Sequence, residues 1–127
     1  MNELNSKSAG ELAQLIQKKE VSSREVVEAH LDRIKEVNPE INAVTIVLEE
    51  SALKLADEVD NSEADEKEKP FFGVPITIKE NIDFVGTPST NGLTFLAESM
   101  PPRNTPLVDR MLPVSYTHLT LPTNREV

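Results

Sequence analysis

The amino-acid sequence predicts an α/β fold, in which helices alternate with strands along the chain. Three observations carry this prediction. Two amphipathic segments with helix caps open the chain, an apolar β-branched run follows at 41–48, and a second such run, 74–78, leads into Lys79. β-Branched residues pack well on a pleated sheet, whereas apolar residues three and four apart line one face of a helix. The predicted order is therefore helix, helix, strand, helix, strand, loop, helix.

Two capping boxes predict where the first two helices begin. Ser8 precedes Glu11 by three residues, and Ser22 precedes Glu25 in the same way. At this spacing a hydroxyl and a carboxylate satisfy free N–H groups of the first helical turn. Pro39 is expected to end the second helix, because the residue before a proline avoids the helical conformation. The apolar residues expected on the inner faces of these helices are Leu12, Leu15, Ile16, Val27, Leu31 and Ile34.

The middle of the chain is predicted to pass through a strand, a helix and a linker. Residues 41–48 are apolar and β-branched, which favours a strand, and residues 51–60 return to helical spacing. Residues 61–70 are rich in charge and poor in apolar side chains, which is typical of a solvated connection. A disordered acidic segment that binds a partner is the alternative interpretation of 61–70.

The last predicted strand and helix flank a polar, glycine-containing loop. The strand is expected over 73–79. Thr105 followed by Pro106 is typical of a helix start, because proline suits the first helical position. This short helix is predicted to run through Met111.

Composition and charge narrow the classes of function. The chain has 127 residues, enough for one small domain, and carries 22 acidic against 13 basic residues for a formal net charge of −9. That balance argues against nucleic-acid binding, which needs a basic face to meet phosphates. No apolar stretch approaches a membrane span, and the amino terminus has no apolar signal-peptide core. We therefore expect a cytoplasmic protein with no membrane partner.

Cysteine and histidine usage bears on metals and cofactors. The absence of cysteine excludes disulfides, thiolate metal sites and cysteine nucleophiles. The two histidines, His30 and His118, have no metal-ligand spacing around them, and His30 is expected to pack on its helix. We expect no metal and no cofactor.

Lys79 is the candidate catalytic residue. It stands where a predicted buried strand leaves the core, and catalytic side chains of α/β proteins commonly lie at strand ends. A lysine accepts a proton only in its neutral form, which partial burial favours. Most lysines at strand ends are solvated and take no part in chemistry, so position alone does not assign the role.

The residues around Lys79 resemble the lysine motif of the amidase signature family. The matching positions are Gly73, Val74, Pro75, Ile76, Lys79, Asn81 and Gly86. Two positions depart from the pattern, because Glu80 stands where aspartate is commoner and Leu93 stands where the family often has serine. The resemblance covers residues 5–111.

This resemblance implies a large mixed β-sheet covered by helices and a Ser-Ser-Lys catalytic triad. In that mechanism Lys79 takes a proton through a bridging serine, a second serine attacks an amide carbonyl, and glycine-rich backbone stabilises the oxyanion. Only Lys79 of the triad is expected in this chain, because its four glycines end at Gly92 and no Gly/Ser-rich loop follows. Ser89, Ser99 and Ser115 are interpreted as turn or loop residues.

The same resemblance sets the expected domain organisation. Residues 1–112 are expected to be the amino-terminal portion of an amidase domain, inactive by itself, and residues 113–127 to be a non-native tail. The tail alternates threonine and leucine briefly but has no pattern that leads into a further strand. For the complete protein the resemblance implies a small-molecule amide substrate and is compatible with a homo-oligomer.

Two alternatives to a stand-alone amidase stay open at this point. One is the A subunit of a tRNA-dependent amidotransferase, which has the same chemistry and obligate partners. The other is a non-catalytic interaction module, in which residues 8–60 form the binding surface and Lys79 is structural.

Overall fold

Helices dominate the described part of the chain, and one pair of short strands accompanies them. The computed structural model describes residues 2–62, 69–111 and the backbone of 117–118. In chain order the elements are a 3₁₀ helix at Glu3–Ser6, α1 (Ala9–Gln17), α2 (Ser23–Ile41), α3 (Glu49–Asp60), β1 (Pro75–Ile76), a 3₁₀ helix at Thr94–Leu96, α4 (Pro106–Met111) and β2 (Thr117–His118). The strands pair in parallel, with Pro75 beside Thr117 and Ile76 beside His118.

Both predicted capping boxes are confirmed. The Ser8 hydroxyl accepts the Glu11 N–H at 3.3 Å, and the Glu11 carboxylate accepts the Ser8 N–H at 2.7 Å. At the start of α2 the corresponding distances are 3.1 Å and 2.8 Å between Ser22 and Glu25. Because these hydrogen bonds favour the charged form, they lower the pKa of both carboxyl groups. The helices predicted over 51–60 and after Pro106 are also present, as α3 and α4.

The buried apolar residues form two clusters that meet on α2. The first cluster consists of Leu12, Ala13, Ile16, Val26, Val59, Phe72 and Val74, and the second of Val27, Leu31, Ala52 and Ala56. Val26 and Val27 leave α2 about 100° apart, so neighbours in sequence enter different clusters. Ala52 and Ala56 lie one turn apart on α3 and are fully buried, which lets α3 approach α2 closely. The predicted inner-face residues Leu12, Ile16, Val27 and Leu31 are buried, and Leu15 and Ile34 are half-buried.

The predicted strand at 41–48 is wrong, and so is the helix end predicted at Pro39. Helix α2 continues past Pro39 and is capped by Asn42, whose backbone is left-handed with a φ of 45°. The Asn38 side chain pairs with the Val44 backbone, donating to its carbonyl at 2.9 Å and accepting its N–H at 2.8 Å. This pairing holds Asn38 in the helix despite the following proline. It also uses the backbone groups that a strand would need for a neighbour.

The predicted strand at 73–79 is shorter than expected. Only Pro75–Ile76 is a strand, because a strand extends as far as its partner and β2 has two residues. β2 lies within residues 113–127, and the prediction that these residues are a non-native tail stays a prediction. The rest of 112–127 and the linker residues 63–68 lie outside the described residues.

Candidate functional site

The segment that leads to Lys79 is anchored at Gly73 inside the helical core. Gly73 has a positive φ of 72°, and its carbonyl oxygen accepts a hydrogen bond from the Ser23 hydroxyl at 2.7 Å. A Cβ atom at position 73 would meet atoms of Ser23 and Val59 at 3.0 Å. Glycine is required at position 73 for two reasons, the left-handed backbone conformation and the close approach of Ser23 and Val59. The start of the lysine-bearing segment is therefore fixed against α2 and α3.

Asp60, the last residue of α3, holds Ser23 in place. Its carboxylate oxygens accept the Ser23 N–H at 2.7 Å and the Arg24 N–H at 3.1 Å. Both N–H groups lie in the first turn of α2, where the helix dipole favours negative charge. The Arg24 guanidinium also donates to Asp57 at 2.6 Å, and this bond raises the pKa of Arg24. The residue that supports Gly73 is thus itself tied to α3.

Lys79 lies at the end of this anchored segment with its side chain exposed. Ile78 is buried, whereas Thr77 and Lys79 are exposed, which is the alternation of an extended chain with one face on the core. The Lys79 carbonyl accepts the Ile82 N–H at 2.9 Å, so the chain turns immediately afterwards. The sequence suggested that Lys79 is partly buried. Among the described residues its side chain is exposed instead, because the alternation turns it to the face away from the core, whereas Ile78 faces the core.

Glu80 contacts a distant turn rather than the lysine beside it. Its carboxylate accepts the Thr90 N–H and also, through its two oxygens, the Asn91 N–H at 3.1 Å and 3.0 Å. Asn91 and Gly92 both have left-handed backbones, with φ of 51° and 75°. Successive N–H groups in such a turn converge into a concave site for an anion. The turn is therefore held at the residue that follows Lys79.

A second set of polar contacts joins the same loop to the start of α4. The Ser89 hydroxyl donates to the Asp83 carboxylate at 2.8 Å, and the Asp83 carbonyl accepts the Thr105 N–H at 3.0 Å. The Asn104 side chain accepts the Val85 N–H at 2.8 Å. A depression of about 300 Å³ opens here, lined by Asp83, Arg103, Asn104, Thr105, Pro106 and Asp109. Its walls combine carboxylate, guanidinium and amide groups.

Lys79 stands alone as a candidate catalytic group in the described ranges. Ser89 and Ser99 have turn roles, as interpreted from the sequence, since Ser89 donates to Asp83 and its N–H meets the Ser99 carbonyl at 2.9 Å. Ser115 lies outside the described residues. The catalytic role of Lys79 stays a prediction at this stage.

Sequence reasoning missed the roles of Glu80 and Asp60. The sequence marks Glu80 only as a departure from a motif, and the available signal is weak, an acidic residue ten positions before a Thr-Asn-Gly turn. Asp60 caps Ser23 from 37 positions away, a separation at which no local pattern exists.

Residues 2–62 and 69–111 offer neither a cluster of metal ligands nor a membrane span. In these ranges no group of three or more His, Asp or Glu side chains could hold a metal ion. His30 instead packs on its own helix, with Nδ1 2.7 Å from the Val26 carbonyl oxygen. None of the described helices combines the length and apolar content that crossing a bilayer demands.

One family model and several curated proteins match this sequence. The family model described as Amidase matches residues 25–115. The chain is 42% identical over 114 residues to the A subunit of the glutamyl-tRNA(Gln) amidotransferase of Caldanaerobacter subterraneus, covering 87% of this chain and 22% of that protein. It is 43% identical over 102 residues to the indoleacetamide hydrolase of Bradyrhizobium diazoefficiens, covering 80% of this chain and 20% of that protein.

Solved structures resemble the chain along nearly its whole length. A peptide amidase bound to the competitive inhibitor chymostatin has a TM-score of 0.82 and 26% identity, covering 94% of this chain and 25% of the other. A 6-aminohexanoate cyclic dimer hydrolase has a TM-score of 0.77 and 29% identity, covering 97% of this chain and 24% of the other. These likenesses support the predicted α/β class, although the described sheet has two strands. The chain spans about a fifth of the length of the curated relatives it matches, in their amino-terminal part.

Proposed function

Because this chain belongs to the amidase signature family, we propose that it is the amino-terminal part of an enzyme that hydrolyses the C–N bond of a carboxamide. Amide hydrolysis is supported at the level of the family. The observation that carries the proposal for this chain is the placement of Lys79. It stands at the exposed end of a segment anchored at Gly73, inside the stretch 25–115 that matches the family.

In the proposed mechanism Lys79 is the base of a Ser-Ser-Lys triad. Its neutral Nζ takes a proton from a bridging serine, which takes the proton of a nucleophilic serine. The nucleophilic oxygen attacks the amide carbonyl, and collapse of the tetrahedral intermediate expels ammonia or an amine that receives the proton. Water then releases the acid from the acyl-serine. Both serines are proposed to lie in the part of the complete enzyme that this chain does not include.

The exposed position of Lys79 is compatible with this role. A lysine that works as a base must spend time in the neutral form, which desolvation favours. Further residues of the complete enzyme are proposed to cover Lys79 and supply that desolvation, while β1 and the Gly73 anchor fix the position of its backbone. The proposed substrate is a small-molecule carboxamide, and the proposed compartment is the cytoplasm.

Substitution of Lys79 in the complete parent enzyme tests the proposal. Lys79→Ala is expected to lower kcat for carboxamide hydrolysis by about 10³-fold or more, with a much smaller effect on folding. Lys79→Arg is expected not to restore activity, because a guanidinium stays protonated and cannot accept the serine proton. Ammonia or amine release is measured across a range of pH for each variant, with circular dichroism as the check on folding.

Two results would overturn the assignment. Near-wild-type kcat in Lys79→Arg would mean that the residue supplies positive charge rather than basicity. Undiminished activity in Lys79→Ala would remove it from the site altogether. The 127-residue chain by itself is the natural reference, since we propose that it forms no acyl-serine and is not labelled by a serine-directed probe.

A second candidate function is that of the A subunit in a glutamyl-tRNA(Gln) amidotransferase. The 42% identity over 114 residues to a protein of that name favours it. Both candidates use Lys79 in the same way, so the Lys79 variants do not separate them. Partner dependence does, because a stand-alone amidase hydrolyses a small carboxamide by itself, whereas the amidotransferase polypeptide requires its assembly.

A further inference from the structure

Residues 80–91 form a closed loop whose two ends meet at the Glu80 carboxylate. The N–H groups of Thr90 and Asn91 lie ten and eleven positions from Glu80 in sequence and reach it in space, as in an Ω-loop. Closing a loop of this length lowers chain entropy, and contacts at its ends must offset that cost. The Glu80 carboxylate supplies such a contact at the point where the loop begins and returns.

The hydrogen bonds that close the loop join the Glu80 carboxylate to the backbone N–H groups of Thr90 and Asn91. Hydrogen bonds to an ionised carboxylate are about twice as strong as bonds between neutral groups. The turn is also ordered internally, because the Gly92 N–H donates to the Thr90 hydroxyl at 3.1 Å. Asn91 adopts its left-handed backbone more readily than most non-glycine residues would. Glu80 therefore binds a preformed arrangement of N–H groups.

We infer that Glu80 is a positioning residue for Lys79. The peptide unit between these two residues carries the Lys79 carbonyl, which accepts the Ile82 N–H at 2.9 Å. A side chain clamped at position 80 restrains that same peptide unit, and so restrains the direction in which Lys79 leaves the backbone. We call the hydrogen bonds that the Glu80 carboxylate accepts from the Thr90 and Asn91 N–H groups the clamp. The consequence of the clamp for catalysis rests on the proposed amidase function, whereas the clamp itself does not.

The clamp also directs the adjacent carboxylate away from Lys79. Among the described residues no ion pair joins Glu80 to Lys79. A carboxylate paired with a lysine stabilises the charged ammonium and opposes its use as a base. Glu80 thus orders the loop while leaving Lys79 unpaired with it.

Amide hydrogen exchange measured residue by residue on the 127-residue chain tests the clamp. Glu80→Gln keeps the shape of the side chain but removes the charge and one acceptor oxygen, and Glu80→Ala removes the whole contact. Both variants are expected to accelerate exchange at Thr90 and Asn91 by about 10-fold or more. The same acceleration is expected at the Ile82 amide, which reports on the Lys79 turn. Glu98→Gln, at an exposed acidic residue outside the closed loop, is the matched control and is expected to change these rates by less than about 2-fold.

Kinetics of the complete parent enzyme test the positioning role. Glu80→Gln is expected to lower kcat by about 10-fold with KM within about 2-fold of wild type, and Glu80→Asp to restore part of the loss. Faster exchange at Thr90 and Asn91 with no change at Ile82, or an unchanged kcat, would overturn the inference. Unchanged exchange throughout would overturn the clamp. A wild-type parent with no amidase activity would defeat the proposed function, and the exchange data would still decide the clamp.

Discussion

The helical half of the molecule (residues 8–60) and the loop half (residues 79–111) are held together by different kinds of contact. In the helical half, apolar side chains of α1, α2 and α3 build the two buried clusters, and Phe72 and Val74 from the following segment complete the first. In the loop half, all of which is described, only Thr87 and Val108 are buried, and Phe95 is 79% exposed. Hydrogen bonds between polar side chains (carboxylate, hydroxyl and amide) and the backbone give the loop half its shape instead.

This difference separates scaffold stability from loop order. Apolar burial is non-directional and spread over many atoms, so it stabilises the helical half as a unit. Each hydrogen bond of the loop half is directional and contributes about 1 kcal/mol. We therefore expect substitutions in the helical core to have the larger effects on global unfolding, and the loss of a hydrogen bond in the loop half to act mainly on local opening. Three substitutions test the scaffold side of this comparison.

Phe72→Ala is expected to have the largest effect. Phe72 is 1% exposed and belongs to the first cluster, so truncation removes apolar burial and leaves a cavity. The expected loss is about 3–5 kcal/mol, which approaches the whole stability of a small domain. Phe71→Ala is the matched control, because its neighbour Phe71 is 43% exposed and should lose less than about 1 kcal/mol. Urea unfolding followed by circular dichroism measures both, and equal losses would refute the burial argument.

Gly73→Ala is expected to have an intermediate effect at the junction of the two halves. The new methyl group would meet Ser23 and Val59 at 3.0 Å, in addition to the strain of a φ of 72°. We expect a loss of about 2–4 kcal/mol. Gly86→Ala separates the two causes, because Gly86 has a φ of 92° but open space around its Cβ position, and about 1–2 kcal/mol is expected there. If the two variants unfold at the same urea concentration, the steric contact at Gly73 is unimportant.

Glu25→Gln is expected to have the smallest effect, and one that depends on pH. Hydrogen bonds from the Ser22 N–H and hydroxyl lower the pKa of Glu25 from a value of 4.5. A carboxyl group with a lowered pKa in the folded state stabilises the protein above its unfolded-state pKa, and this stabilisation is lost as the pH falls through the folded-state pKa. The urea midpoint of the variant should therefore lie below wild type at neutral pH, and the difference should shrink as the pH falls through the folded-state pKa of Glu25.

Glu40→Gln provides the control for that comparison. Glu40 lies in the last turn of the same helix, where a negative charge opposes the helix dipole. Its removal should leave the midpoint at neutral pH unchanged or slightly raised. A decrease equal to that of Glu25→Gln would show that general charge, and not the capping box, sets the difference.

Local signals predicted most of the helical half correctly because their causes are local. The Ser8 and Ser22 boxes act within one helical turn, and the inner faces of α1 and α2 follow from spacing alone. Prediction failed at 41–48, where β-branched composition favoured a strand. A strand needs a neighbour to receive its hydrogen bonds, and the Asn38 side chain takes that place at Val44.

At the candidate site, the motif was readable along the chain and singled out Lys79, whereas the strand predicted to end there stops at Ile76. The arrangement around Lys79 depends on contacts between residues far apart in sequence. Ser23 meets Gly73 across 50 positions, and Glu80 meets Thr90 across ten. Such pairs form only after helix packing and loop closure have brought the backbone together, because each bond by itself is too weak to set the fold. The motif therefore predicted which side chain is the candidate base, whereas packing decided how its backbone is held and that its side chain is exposed.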